Sequence, residues 1–491
     1  MSHSHLPLRP VALALFVLLS GCALGPNYQR PALETPVQFK QAQGWKAAVP
    51  ADALERGAWW ELYGDAELNT LVERLNVANQ SVAASEAAYR QARALVRSAR
   101  AAFYPTVSAN TEVTRSGQGG GSNTVRTSDG SVITSSGGGG ISKSYNANLG
   151  VSWELDVWGR LRRGLEADRA SAEASLADLA AARLSLQSEL VQNYLQLRVM
   201  DEQKRLLEAT AAAYQRSLRL TQNQYNAGIV PKSDVSQALT QLKSTQAQSI
   251  DLDWQRAQLE NAIAVLTGAP PAQFSIAVRE AIPDLPAIPL ELPSELLERR
   301  PDIAAAERSV IAANAGIGVA KAAYFPDLSL SASGGYRNDS LADWINVPNR
   351  FWSLGPSLAL TLFDGGARAA ELERSRASYD QTVAEYRQAV LDGFREVEDY
   401  LVQLQVLERE SGYQREALDA ARESLRLIEN QYKAGTVDYN DVVSVQATAL
   451  SNERSNLTLL GSRLTTSVQL IAALGGGWSS AQLSEEPTPA P

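Results

Sequence analysis

The chain has 491 residues, 54 acidic against 45 basic, a formal net charge of −9 and 20% charged side chains, with no basic stripe interleaved with aromatics, so nucleic acid is excluded as a partner. Its one cysteine, Cys22, and its two histidines, His3 and His5, fall at or before position 22, so a chain processed before Cys22 keeps no histidine. Cys/His zinc sites, histidine triads and intrachain disulfides are thereby removed, and no motif places two carboxylates in a cleft; the expectation is no enzyme, no cofactor and no metal.

The amino terminus reads as a leader. Val11 to Leu19 is apolar, has the length of a secretory core and is too short to span a bilayer. It runs into Leu19-Ser20-Gly21-Cys22, which resembles the bacterial lipobox; a small-residue run beside a buried cysteine is the bland alternative. Residues 1–21 are expected to be a signal peptide, and Cys22 to carry covalent lipid on its thiol and its new amine. Each buried CH2 contributes about 0.8 kcal/mol, so several acyl chains make a stable anchor. Ala23, rather than Asp, comes after the cysteine and points to the outer membrane. Residues 22–65 form a proline-dotted segment, extended from Ala23 to Gly57, that wraps around the rest of the chain.

Beyond it the chain is a tandem duplication. Ala101-Ala102-Phe103-Tyr104-Pro105 returns as Ala322-Ala323-Tyr324-Phe325-Pro326, and Tyr225-Asn226-Ala227-Gly228 returns as Tyr432-Lys433-Ala434-Gly435. The first copy spans 66–268, with a β-hairpin at 106–156 and a helix tip at 225–234. A proline-rich connector, 269–293, leads to the second copy, 294–474, with a hairpin at 327–363 and a tip at 432–441. The last residues, 475–491, read as a mobile tail.

No later run of about 18 apolar residues supplies a spanning helix, so any membrane crossing must be made by strands. Four stretches alternate with period two: Thr106 to Thr114, Tyr145 to Asp156, Asp327 to Tyr336 and Ser353 to Thr361. In the second, Ala147, Leu149, Val151, Trp153 and Leu155 oppose Asn146, Asn148, Gly150, Ser152 and Glu154. Their lengths suit tilted transmembrane strands. A soluble sandwich shows the same alternation, but four strands cannot cover the flanking helices. The Gly/Ser/Thr-rich stretch from Arg115 to Ser142 reads as a flexible outer loop. Closing a barrel takes about eight strands, and a water-filled lumen more, so a channel calls for at least three chains.

Helical pattern runs without proline from Val157 to Tyr225, with a seam through Leu186, Leu190, Leu197, Leu207, Tyr214 and Leu218. At about 1.5 Å per residue such a helix approaches 100 Å. Arg368 to Tyr432 is its counterpart, and Ser233 to Leu266 and Asp441 to Leu474 are shorter partners, in a count of six helices per chain. A solvated coiled-coil stalk explains any one helix alone.

Cys22-Ala23-Leu24-Gly25-Pro26-Asn27-Tyr28-Gln29-Arg30-Pro31, Trp59-Trp60 with Asp65 and Leu68 after them, and Leu296-Leu297-Glu298-Arg299-Arg300-Pro301-Asp302-Ile303 resemble the lipoprotein, NodT-type branch of the TolC/OprM outer-membrane factors, over essentially the whole mature chain. The resemblance implies an α+β membrane protein: a homotrimer with a twelve-stranded β-barrel, four strands per chain, continuous with a long α-helical coiled-coil periplasmic tunnel. It also implies a passive efflux duct in the outer membrane, partnered by a periplasmic adaptor (membrane fusion protein) and an inner-membrane pump of the resistance-nodulation-division type. A channel for type I protein secretion and a lipid-anchored trimeric coiled-coil structural protein are the alternatives.

Gly228 and Gly435 are expected to supply the tip turns. Asp234 and Asp441 are candidate caps for the helices on the far side of those turns. In a trimer each would also form a ring of three carboxylates, and such rings hold or select cations. The resemblance assigns positions matching Ser233, Asp234, Tyr432 and Asp441 to a closed periplasmic entrance. The chain departs from some members in having Val437 where they carry a bridging arginine, and Ser444 in place of a second acidic residue; Lys232 is the candidate substitute cation.

Overall fold

The computed structural model describes residues 23–33, 39–40, 58–117, 122–136, 141–279, 281–286 and 299–480. Cys22 and the signal segment lie outside them, as do residues 34–38 and 41–57 of the amino-terminal segment, residues 287–298 at the end of the connector and the start of the second copy, and residues 481–491. Two compact units are formed, one drawn from Met1–Gln29, Ala92–Ala172 and Ser309–Thr382, the other from Arg30–Gln91, Glu173–Arg308 and Val383–Pro491. The helices are α1 (Ala66–Ala78), α2 (Gln80–Ala101), α3 (Arg160–Asn226), α4 (Lys232–Leu266), α5 (Pro301–Ala322), α6 (Ala367–Lys433) and α7 (Tyr439–Ala473). The strands are β1 (Thr106–Gly117), β2 (Ser122–Arg126), β3 (Val132–Ser136), β4 (Ile141–Leu155), β5 (Asp327–Asn338) and β6 (Arg350–Ala359).

Among the described residues the α-helices therefore number seven rather than six. The additional break is at Asn79, which is extended, with φ −68° and ψ 126°. Its side-chain oxygen accepts from the backbone N–H groups of Ser81 and Val82 and so caps α2, while its amide donates to the carbonyl of Leu266.

In the first unit β1, β4, β5 and β6 form one antiparallel sheet in the order β1-β4-β5-β6. The register sets Val107 opposite Val151, Val151 opposite Ala332, and Ala332 opposite Leu354, which carries one apolar stripe across all four strands. One residue along, Ser108, Gly150, Ser333 and Ser353 make the corresponding polar stripe. Val107, Leu149, Leu354 and Leu358 are each more than half exposed within the chain. β1 and β6 each have one unpaired edge, which a closed barrel of several chains would remove. Aromatics gather at both ends of the sheet: Trp158 packs on Phe325 at 4.8 Å where the helices begin, and Tyr145 on Trp344 at 5.9 Å at the opposite end. Such girdles flank the apolar band of transmembrane barrels.

The loop expected from Arg115 to Ser142 is not uniformly irregular, because β2 and β3 pair within it as a separate two-stranded hairpin. Its turn is tied by Asp129, whose carboxylate accepts from the hydroxyls of Thr127 and Ser131, and Gly130 takes φ +88°.

The second unit has a core of Trp59, Leu68, Leu75, Leu190, Leu197, Ile263, Leu401, Leu464 and Val468, each almost fully buried. Each large side chain there contributes about 1.5–3 kcal/mol. Beside it lies a buried ionic clasp. Arg198, with no exposed surface, donates to Glu67 at 2.6 Å, Asp201 at 3.1 Å and the carbonyl of Ala277 at 2.8 Å. Arg256 completes it, donating to Asp201 at 2.6 Å and to the carbonyl of Ile276 at 2.7 Å. The start of the proline-rich connector is thereby docked on α3 and α4. The first residues of the expected tail are ordered: Gly475, Gly476 and Gly477 take positive φ, and Trp478 packs against Ala177, Ala304 and Ala305.

Candidate functional site

The two helix tips fold by the same backbone rule. At the first, Gly228 (φ +73°) donates to the carbonyl of Tyr225 and Ile229 to that of Gln224, both at 2.9 Å. At the second, Gly435 (φ +77°) donates to Tyr432 at 2.9 Å and Thr436 to Gln431 at 3.0 Å. This pair of bonds closes the last turn of α3 and of α6 and requires the left-handed conformation that glycine adopts without a steric cost.

The capping role expected of Asp234 and Asp441 is corrected. Helix α4 starts immediately after Pro231 and α7 immediately after Asp438, so both carboxylates sit at the third helical position rather than at the cap, and neither helix has a side-chain cap. There they face the positive end of the helix dipole, an interaction of about 0.3–1 kcal/mol. Ser233 donates to Asp234 at 3.1 Å. Asp234 is half-buried; Asp441, Ser233 and Lys232 are exposed. Among the described residues Lys232 makes no ion pair within its chain, and the side chain of Val437 packs against the apolar cluster of the second tip.

That cluster gives the tips their coherence. Tyr432 and Tyr439 stack at 5.5 Å with an interplanar angle of 57°, joined by Ala238 and Val442 and flanked by Leu218 and Ile428. The residues come from α3, α4, α6 and α7, so all four helix ends meet at one point. The Tyr432 hydroxyl donates to the Gln224 side chain at 2.7 Å, linking the end of α6 to the end of α3. The hydroxyls of Tyr439 and Ser217 lie 3.3 Å apart. Burial pushes the phenols of Tyr432 and Tyr439 above their ordinary range, and the charge of Asp234 pushes both in the same direction. Both tyrosines therefore stay protonated at neutral pH and can donate hydrogen bonds.

Of the residues anticipated at the tips, the charge of Asp234 acts on Tyr432, whereas among the described residues Ser233 pairs with its neighbour Asp234, and Lys232 and Asp441 are exposed within the chain. Gln224, Ser217 and Tyr439 were not anticipated. Tyr432 and Tyr439 bracket the Gly435 turn seven positions apart, and that aromatic bracket was the available signal. No helix among the described residues is long and apolar enough to cross a membrane, and no group of His, Cys, Asp and Glu among them could hold a metal ion.

The model of a family described as outer membrane efflux protein matches residues 71–269 and 292–476. The pyoverdine export outer membrane protein OpmQ of Pseudomonas aeruginosa is 32% identical over 469 residues, covering 94% of this chain and 96% of its own. The toluene efflux pump outer membrane protein TtgC of Pseudomonas putida is 30% identical over 472 residues, covering 95% of each. Among solved structures, the open state of the Neisseria gonorrhoeae MtrE outer membrane channel matches with a TM-score of 0.79 at 26% identity, over 94% of this chain and 99% of that one.

Proposed function

The chain belongs to the outer membrane efflux protein family and is an outer-membrane efflux channel, and from that premise we propose that it is a passive duct, lipid-anchored at Cys22 and closed at its periplasmic tips until partners open it. The trimer supplies the strands that one chain lacks. An inner-membrane pump, of the resistance-nodulation-division type, and a periplasmic adaptor supply the energy and the opening movement. The cluster around Tyr432 is the observation that carries the gate: one polar bond and one aromatic stack hold the two helix hairpins of a chain together at their ends. A relative described in an open state supports an entrance that changes conformation.

Cargo choice belongs to the pump. Relatives of similar identity bear names with unlike cargoes, pyoverdine and toluene, as expected of a tube that meets its cargo only in transit. In the trimer, Asp234 and Asp441 form two rings of carboxylates that hold cations at the entrance. Planar-bilayer recordings of the Asp234→Ala, Asp441→Ala double variant should show a higher conductance and a weaker preference for cations than the wild-type channel. Equal conductance and selectivity would sink the gate.

A further inference from the structure

The charges of the four-stranded sheet are sorted by face. Side chains alternate along each strand, and the unbroken register carries the apolar side across β1, β4, β5 and β6. Within these strands that side bears three charges, Arg115, Lys143 and Arg350, all of them cations and all at the end away from the helices. The polar side bears Glu112, Glu154, Asp327 and Arg337, three acids to one base.

Arg115 and Lys143 stand directly opposite each other. Side chains so opposed have Cβ atoms about 5 Å apart, and like charges at that position destabilise the pair. Both are exposed, and among the described residues neither they nor Arg350 form an ion pair within the chain. Asp129, the one acid between Arg115 and Lys143 in sequence, is engaged by the hydroxyls of Thr127 and Ser131. The position of the pair in the fold is equally specific. Lys143 is two residues beyond Tyr145, about 7 Å along the strand, on the same face. Arg350 opens β6 opposite Tyr336, whose carbonyl accepts from the Trp344 indole at 3.3 Å. The cations thus lie at and just past the Tyr145–Trp344 girdle, the level at which lipid headgroups meet a barrel. With the helices in the periplasm, that end meets the outer leaflet.

We propose that this rim is a binding site for a phosphorylated lipid headgroup of the outer leaflet, with the phosphate held between Arg115 and Lys143 and the acyl chains along the apolar stripe beneath. A phosphate there replaces one repulsion with two charge-assisted contacts, since the guanidinium offers a planar fork of donors and the ammonium a point charge. Arg350 adds a third positive charge on the same face. The chemistry selects a lipid over a solute in the lumen, because Val113, Val107 and Leu149 continue the face that carries the pair, whereas the lumenal face is predominantly acidic.

The test uses the full-length trimer in a neutral detergent, with co-purified lipid and the heat resistance of the trimer as readouts. Bisphosphorylated lipid A doped into the micelles should be retained about tenfold more than its dephosphorylated form, the change expected of one charge-assisted contact, and should raise the melting midpoint. Inorganic phosphate at the same concentration should not raise it. The Arg115→Gln, Lys143→Gln double variant should lose both the retention and the gain, yet melt no lower than the wild type in plain detergent, because the opposed charges are gone. Arg337→Gln removes the same charge near the same end from the other face, where the guanidinium lies 5.3 Å from the Phe351 ring, and should keep both. A double variant that retains lipid A like the wild type overturns the site, and so does equal retention of the dephosphorylated lipid. Equal loss in Arg337→Gln reduces the effect to net charge and overturns it too. A gain from inorganic phosphate alone assigns the pair to a free anion and overturns the lipid. A double variant that melts below the wild type in plain detergent contradicts the opposed-charge reasoning on which the site stands.

Discussion

Tyr432→Phe isolates the polar half of the latch. Tyr432 is 8% exposed and keeps its stack on Tyr439 when the hydroxyl is removed, so packing is conserved and the hydroxyl's 2.7 Å bond to Gln224 is lost together with its interaction with the Thr221 side chain. A hydrogen bond of this kind contributes about 0.5–1.5 kcal/mol net. Gln224 is half-buried and water can reach it, so the middle of that range applies, about 1 kcal/mol per chain. For three chains opening together the closed state loses about 3 kcal/mol, on the order of 100-fold in the closed-to-open equilibrium. Single-channel recording in planar bilayers reads this as open probability at fixed voltage. Tyr413→Phe, on the same helix with its side chain 76% exposed, is the control and should leave open probability unchanged. If Tyr432→Phe stays within about twofold of wild type, the bond between the hairpins does not hold the entrance closed.

Arg198→Met should destabilise the trimer by about 3 kcal/mol per chain in detergent unfolding, near the low end for a broken buried pair because Asp201 keeps Arg256. The exposed Arg395, paired only at 3.4 Å, is its counterpart, and Arg395→Met should cost under about 0.5 kcal/mol. Cys22→Ser should abolish labelling by radioactive palmitate, and retained label would refute the anchor.

The strands and long helices were legible because their periods are regular and their residues commit to one face: Val107, Leu149 and Leu354 against Ser108, Gly150 and Ser353. The β2–β3 hairpin was hidden by the glycine-rich composition around it, although Asp129-Gly130 is a recognised hairpin turn signal. Asn79 looks like one polar residue in a continuous helix; its capping of Ser81 and Val82, together with the distant Leu266 carbonyl that takes its amide, accounts for the break there. The tip glycines could be read from sequence because a local rule fixes them. The role of Asp234 could not, since it depends on Pro231 setting where α4 begins and on Tyr432 arriving from the other copy. Likewise Gly318 looks like an indifferent helix residue until the segment after Cys22 is laid across it.

Release of a small fluorescent solute from liposomes tests the central claim of a passive duct closed at its tips. Reconstituted without nucleotide or ion gradient, the wild-type trimer should retain the solute, and the Asp234→Ala, Tyr432→Phe, Asp441→Ala variant should release it. A variant as tight as the wild type would contradict the tip gate, and a wild type as leaky as the variant would contradict the closed entrance.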